Sequence, residues 1–276
     1  MNVDLHCHSS HSDGVLHAAD LVRRAAGNGV ELLALTDHDE MAGLAAARME
    51  ARRCAVRFVS GVEISVTWHE TTIHVVGLAL DSTNAPLAAG LAGIRAGRIE
   101  RARAIADALT RIGFEGALEG ASRHAGEGGL IGRTHFARFL VERKAAADVR
   151  GVFERYLVRG RPGYVAHEWA GLEQALSWIR AAGGLAVLAH PARYRIGTRA
   201  RGRLLGEFKD CGGAAIEVVS GSHAPGSDRT FARLARRFGF LGSCGSDFHA
   251  PGESSCDVGR AGALPEGIAP IWEAFA

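Results

Sequence analysis

The chain has 276 residues, 47% hydrophobic and 22% charged, with a formal net charge of +2. That length suits one large domain or one domain with an insert, and the composition excludes a disordered chain. No apolar run approaches the ~20 residues of a membrane span. The N-terminus lacks a basic signal-peptide region, and a cleavage there would remove a histidine cluster that begins at His6, so a cytoplasmic location is expected. Five cysteines (Cys7, Cys54, Cys211, Cys244, Cys256) are odd in number and form no CxxC pair. Neither a disulfide framework nor a zinc knuckle is therefore expected, and each reads as a small core residue.

In chain order, NVDLHCH reads as a short strand and LHAADLVRRAAGNG as an amphipathic helix ended by glycine. ELLALTDHD is a second strand, EMAGLAAARMEARR a second helix, RFVSGVEISVTW a third strand and TTIHVVGLAL a fourth. A long Ala- and Arg-rich stretch follows, with the helical patterns APLAAGLAGIRAGRIERARAIADALTRIG, GRTHFARFLVERKAA and DVRGVFERYLV. The strand–helix rhythm then resumes: LEQALSWIRAAGG is a helix, LAVLAHPAR a strand, RARGRLLGEFKDCGG a helix and AAIEVVSG a strand. RTFARLARRFG is the last helix and FLGSCGSDFHA the last strong strand. Repeated βα units imply a parallel sheet or barrel. The expected organisation is an α/β barrel formed by residues 1–81 and 166–276, with a small helical subdomain inserted at 82–165.

Charge separates the two parts. Residues 82–165 carry fourteen Lys or Arg against eight Asp or Glu, while the rest carries eighteen against twenty-two. A basic segment in an acidic frame is either solvated helix surface or a grip for an anionic ligand.

Histidines and acids track the strands of the frame. His6 and His8 lie two apart on the first strand and share a face, with Asp13 in the loop after it. His38 lies at the end of the second strand, Glu63 on the third and His74 on the fourth. His190 ends the next frame strand, and Asp247 and His249 end the last. In a parallel barrel such positions converge on the mouth where barrel active sites lie. Six imidazoles and three carboxylates there are not apolar core, since burying unpaired polar groups costs roughly 2–7 kcal/mol each. Nine donors are too many for one ion and suit two or three, with Mn²⁺, Fe²⁺ or Zn²⁺ matching a mixed N/O set without thiolate.

The stretches DLHCHSSHSDG, TDHD, GVEIS, HVVGL, LAHPAR and GSDFH resemble the motifs of the PHP (polymerase and histidinol phosphatase) family of metal-dependent phosphoesterases. The resemblance spans nearly the whole frame and implies a distorted (β/α)7 barrel. GRTHFARFLV and EVVSGSH further resemble the group acting on nucleoside 3′,5′-bisphosphates, whose relatives also degrade short RNA from the 5′ end. The resemblance implies three metal positions, most readily for Mn²⁺. One would be held by His6, His8, Glu63 and Asp247, a second by Glu63, His74 and His190, and a third by Asp13, His38 and His249. It implies attack by a metal-bridging hydroxide, with Glu63, Asp247, His249 and Arg193 as catalytic residues.

Substrate contacts are read from the basic segment and the mouth. Arg133, Thr134 and His135 open an insert helix; either Thr134 caps that helix, or guanidinium, hydroxyl and imidazole together capture phosphate. Arg193, three residues after His190, would also meet phosphate. Arg98 and Arg101 share a helix face at i, i+3, as surface residues or as contacts to a second phosphate or base. His223 follows a frame strand on the mouth side, where it would touch substrate or a metal ligand. His11, His17 and His69 read as solvated, His124 and His167 receive no role, and Cys7 points to the opposite strand face as packing. The expected activity removes the 3′-phosphate of a nucleoside 3′,5′-bisphosphate. The alternatives are a 5′-3′ exoribonuclease on short RNA with the same metals, a histidinol-phosphate-type phosphatase, and a metal-binding module without catalysis. Neither a membrane nor an obligate protein partner is expected.

Overall fold

The structure, a computed structural model, describes residues 1–126 and 129–275. Strand β1 (Val3–Asp4) and helix α1 (Ala18–Gly27) lead to β2 (Leu32–Leu35), which pairs with β1 in parallel. Helix α1 buries Ala18, Leu21, Val22 and Ala25 at i, i+3, i+4 and i+7, one apolar stripe. It ends as Gly29 takes φ 79°, so that Gly29 N–H reaches the Ala26 carbonyl and Val30 N–H the Ala25 carbonyl. Helix α2 (Leu44–Arg53) returns the chain to β3 (Arg57–Trp68), parallel to β2.

The parallel rhythm then breaks. His69 and Glu70 alone join β3 to β4 (Thr71–Leu78), which therefore runs antiparallel, since a parallel neighbour needs a longer crossover. Helices α3 (Ala85–Thr110), α4 (Ala117–His124), α5 (Arg133–Glu142) and α6 (Val149–Val152) follow, the last continued by a π-helical turn at Phe153–Leu157. The short β5 (Ala170–Gly171) pairs with the far end of β3. Helix α7 (Leu172–Ala181), β6 (Leu185–Leu188), α8 (Thr198–Asp210), β7 (Ala215–Ser220), α9 (Ser227–Phe238) and β8 (Leu241–Gly245) complete the alternation. The strand order β1-β2-β3-β4-β6-β7-β8 makes a distorted (β/α)7 barrel. Hydrogen bonds close it beyond β1 and β8, from Leu5 N to Cys244 O (3.0 Å), Asp247 N to His6 O (2.8 Å) and His8 N to Phe248 O (2.9 Å).

One expectation is corrected. The frame is not wholly parallel, because β4 pairs antiparallel with both β3 and β6. Glu63 and His74 lie on their strands as expected, well inside them, because the β3–β4 hairpin continues past the point where its neighbours stop. Most other strands are shorter than their apolar patterns, since the histidine and acid positions beyond them leave extended geometry. His190 has φ 27°, Asp247 φ 53° and Asp39 φ 52°, conformations that cost of order 1–3 kcal/mol each for a non-glycine residue.

The main core fills the barrel and its helices, with Ile64, Val75, Leu188, Ile216 and Phe208 fully buried. Leu87, Leu91 and Ile94 in the first half of α3 belong to it. Ala102, Ile105 and Leu109 in the second half instead join Phe136, Leu140, Val152 and Leu157. The helical stretch has its own apolar cluster, and the first half of α3 carries its apolar packing into the main core.

Gly245 is where the closing strands touch: a Cβ there would lie 2.3 Å from the Cβ of His6 and 2.7 Å from its amide nitrogen. Gly245→Ala is expected to destabilise the fold by at least ~1–3 kcal/mol, the usual cost of overpacking, read as a lower urea midpoint. An unchanged midpoint would show that this seam can spread without penalty.

Candidate functional site

The residues after β1 keep a strand-like alternation beside residues 244–248. His6 and His8 turn into the barrel, while Cys7 turns away and donates its thiol to the Ala34 carbonyl at 3.2 Å. Asp4 is fully buried beneath them and accepts from the amides of His6 (3.2 Å), Ser246 (2.9 Å) and Gly259 (2.6 Å). Asp37 holds the loop that carries Asp13, accepting from Ser9 N (2.7 Å), Ser9 Oγ (2.6 Å) and Ser12 Oγ (2.7 Å). Tyr194 donates to the Ala189 carbonyl at 2.8 Å and accepts from His74 N at 2.9 Å, joining β4 to the end of β6.

These supports bring the nine residues singled out in the sequence to one place, with Glu63 at its centre. Glu63 is 0% exposed, and five imidazoles reach its carboxylate. Oε1 lies 2.8 Å from His74 Nδ1 and 2.9 Å from His190 Nε2. Oε2 lies 2.9 Å from His38 Nδ1, 3.2 Å from His6 Nε2 and 3.3 Å from His8 Nε2. Asp247 Oδ1 is 3.4 Å from His8 Nε2 and 3.5 Å from His6 Nε2, and Asp13 Oδ1 is 3.3 Å from His249 Nε2.

The donors fit divalent metal on two grounds. They are mixed imidazole and carboxylate, which suits first-row divalent ions. Several are also buried without a hydrogen-bond partner: His8 Nδ1, Asp13 Oδ1, His38 Nδ1, Glu63 Oε2 and His190 Nδ1. The 2.9 Å contact of His38 Nδ1 with Glu63 Oε2 is close but not aligned as a hydrogen bond. Such crowding of misaligned acceptors and imidazoles is costly without an ion to share.

Among the described residues, four groups have donor atoms mutually within 4.8 Å: His8, Asp13, His38 and His249; His6, His190 and Asp247; His6, His8 and Glu63; and His38, Glu63 and His74. This differs from the partition the resemblance implies. His8 reaches the Asp13 group as well as Glu63, and His190 meets His6 and Asp247 as well as Glu63, because the rings line one continuous wall.

The charges follow from burial opposed by neighbours. Burial disfavours the His6 imidazolium, but Glu217, Glu63 and Asp247 hold its pKa well above the ordinary value. His249 is likewise raised to about 9 by Asp13 and Asp247 against burial, and His38 is raised by Glu63 and Asp13. His8 falls to about 3 and His74 to about 4, both chiefly through burial. Against burial, the surrounding imidazoles hold Asp13, Glu63 and Asp247 well below the carboxylate range.

Four arginines gather beside this wall. Arg193 Nη1 donates to Asp247 Oδ2 at 3.0 Å. Arg98 Nε donates to Asp39 Oδ2 at 2.7 Å and its Nη2 to Ser65 Oγ at 2.8 Å. It is neither a surface residue nor a free one. Among the described residues Arg101 donates only to the Val165 carbonyl, at 3.2 Å, and Arg133 rests over the Phe153 ring. Among the described residues neither has a carboxylate within ion-pair reach. Burial and then repulsion from nearby arginines lower Arg101 to about 9 and Arg133 to about 10.

The neighbouring candidates are already engaged. The cap of α5 is Gly132, whose N–H is accepted by His135 Nδ1 at 2.9 Å, so Thr134 is not the cap. Thr134 Oγ1 instead donates to Asp13 Oδ2 at 2.8 Å. His135 is fully buried, and burial lowers it to about 4. His223 is part-buried, its Nε2 accepting from Ala192 N at 3.4 Å next to Arg193.

Sequence reasoning missed Glu217. This glutamate on β7 is 1% exposed, lies 2.5 Å from His6 Nδ1 through Oε1, and accepts the His190 amide through Oε2 at 2.7 Å. The available signal was a lone acid inside the apolar strand AAIEVVS. It also missed Asp37 and Asp39, which flank His38 and hold the loops around it.

The PHP domain model matches residues 4–183. A 3′,5′-nucleoside bisphosphate phosphatase of Chromobacterium violaceum is 49% identical over 271 residues, covering 98% of this chain and 95% of that protein. The 5′-3′ exoribonuclease Rnm of Escherichia coli is 42% identical over 275 residues, covering 98% of this chain and 92% of that one. An amidohydrolase from Chromobacterium violaceum, solved with bound sulfate and no metal, has a TM-score of 0.96 at 49% identity, covering 100% of this chain and 96% of that chain.

His6, His38 and His249 are raised in the metal-free fold, so each holds its proton to higher pH than an ordinary imidazole. Metal must displace those protons. Mn²⁺ added to metal-free protein near pH 7 is expected to release protons, and its apparent affinity to weaken as pH falls. Calorimetry in buffers of differing ionisation enthalpy checks both. No release, with an affinity flat from about pH 6 to pH 9, would contradict this proton inventory.

Proposed function

The chain belongs to the PHP domain family, and from that premise we propose that it is a metal-dependent phosphatase of nucleoside 3′,5′-bisphosphates. It removes the 3′-phosphate and leaves the nucleoside 5′-monophosphate. The observation that carries this reading is the arginine group beside the donor cluster. Among the described residues Arg101 and Arg133 repel one another without a carboxylate ion-pair partner, and Arg133 adjoins Thr134, which is bonded to the cluster member Asp13. A second phosphate relieves that repulsion while the first sits at the donors.

His6, His8, Asp13, His38, Glu63, His74, His190, Asp247 and His249 would hold two or three divalent ions, with Mn²⁺ the leading candidate and Fe²⁺ or Zn²⁺ the others. When bound, such ions supply positive charge that acidifies water toward neutral pH and neutralises phosphoryl oxygens. Arg193, paired to Asp247, presents its remaining N–H groups to the same phosphoryl group and stabilises charge developing on it. Arg133 and Arg101 orient the far phosphate, where guanidinium geometry matches paired oxygens. Thr134 and Arg98 act on the protein side. Thr134 holds the Asp13 carboxylate, and Arg98 ties α3 to Asp39, beside His38. His223 stands behind Arg193 and lines the same side of the mouth.

A second reading, exonucleolytic cleavage of short RNA from the 5′ end, is favoured by the 42% identity to the Escherichia coli exoribonuclease. The same donors would serve at the first internucleotide phosphate, with the 3′ oxygen of the 5′-terminal nucleotide as leaving group and the phosphate kept on the remaining RNA. A histidinol-phosphate activity is disfavoured because its cationic amine would face arginines.

A phosphate-release screen with Mn²⁺ over nucleoside mono- and bisphosphates, short RNA and histidinol phosphate tests the assignment. Failure to prefer the bisphosphate would overturn it. Glu63→Gln is expected to lower turnover by about 100-fold or more and to reduce bound metal. Full activity in a metal-loaded variant would remove Glu63 from the centre. Arg133→Ala is expected to raise KM for the bisphosphate about 10-fold, as loss of a charged hydrogen bond does, while sparing a small phosphomonoester. Equal loss on both substrates would show that Arg133 does not read the second phosphate.

A further inference from the structure

Glu217 is buried, carries charge and touches no candidate substrate group, so its presence in an apolar strand needs a reason. Its neighbours Ile216 and Val218 are both 0% exposed and belong to the main core. Placing an acid there is expensive unless its oxygens are matched. Both are matched, and both partners belong to the donor cluster. Oε1 meets His6 Nδ1 at 2.5 Å, leaving Nε2 of the same ring facing Glu63 Oε2 at 3.2 Å and Asp247 Oδ1 at 3.5 Å. Oε2 accepts the backbone N–H of His190 at 2.7 Å, at the residue whose φ of 27° lies outside the favoured regions.

One carboxylate thus fixes a ring from the segment after β1 and a bent backbone from the end of β6. These are two of the three members of the group formed by His6, His190 and Asp247, which overlaps at His6 with the group formed by His6, His8 and Glu63 around the same ring nitrogen. Resting on the metal reading above, we propose that Glu217 is a positioning residue that selectively sets the affinity of this one metal position. It aims His6 Nε2 inward, makes that ring a better donor, and locks the turn that delivers His190. The group formed by His8, Asp13, His38 and His249 shares no residue with these two contacts.

Glutamine is a discriminating replacement. Its single carbonyl can accept from His6 Nδ1–H or from His190 N–H, but its NH2 group then faces the other donor. Glu217→Gln is expected to weaken one metal position by about 10–100-fold, the usual effect of losing such a partner, while the remaining ions bind as in wild type. The experiment titrates metal-free protein with Mn²⁺ and counts free Mn²⁺ by electron paramagnetic resonance, with circular dichroism on the same samples. The double variant Glu217→Gln/His6→Ala supplies the coupling: once His6 is gone, Glu217→Gln should change the binding curve much less. This readout uses no substrate, so it stands apart from a failure of the bisphosphate assignment. A folded Glu217→Gln variant with the wild-type curve, or one weakened equally at every position, overturns the proposal. If Glu217→Gln does not fold, Glu217→Ala is read in its place. If neither folds, Glu217 serves the core rather than the metal position, and the proposal is also overturned.

Discussion

The structure turns on a fully buried carboxylate, Glu63, that five imidazoles contact at 2.8–3.3 Å. Such an arrangement is untenable as ordinary core. A carboxylate in low dielectric needs compensating charge, and rings crowded at that distance cannot all donate to it with good alignment. The fold meets the constraint by delivering the rings from several different elements. β3 carries Glu63 past the ends of its neighbours, the antiparallel β4 brings His74 beside it, and closure of the seam between residues 5–8 and 244–248 brings His6 and His8. The reversal at β4 is therefore more than an irregularity of the barrel, because a parallel fourth strand would present its residues to the mouth only at its end.

The same constraint explains where backbone strain lies. His190, Asp247 and Asp39 adopt positive φ beside the cluster, and each is held by groups with little other purpose. Glu217 accepts the amide of His190. Asp4 is bonded to the amides of His6 and Ser246, the residues flanking the seam at Asp247. Asp39 accepts from Ser65 and Arg98. Asp4, Asp37 and Asp39, outside the donor set, hold the backbone and loops around the ligands, and Glu217 in addition makes the His6 ring more basic.

Much of the fold was legible because its signals are local and repeated. Apolar periods of two and 3.6 alternate through the frame, and glycines stop helices where the pattern ends. The nine polar positions stood out because most recur just past apolar strands, where chance would not place them, with Glu63 and His74 inside strands. How the donors are shared among ions was not legible, since His8 lies between two carboxylates that are 184 positions apart in the chain. Glu217 was overlooked because a single acid in a strand resembles a solvent-facing residue until the barrel shows both faces covered. Arg98 could be read as surface or as a phosphate contact, whereas its partner Asp39 lies 59 residues away.

Charge ties the helical stretch to the barrel in a way that composition only suggested. Most of its lysines and arginines are exposed, Arg103, Arg150 and Arg159 among them, but a smaller set turns toward the barrel. Arg98 is joined to Asp39, Arg138 to Glu253 in the loop after His249, and Thr134 to Asp13. These contacts fix the helices over the donor wall, and Arg101 and Arg133 are left without carboxylates of their own. The arginines that anchor and the arginines that remain unpaired are thus distinct sets. Burial and the neighbouring arginines lower both Arg101 and Arg133, a cost that the anchoring arginines, each matched to an acid, do not bear.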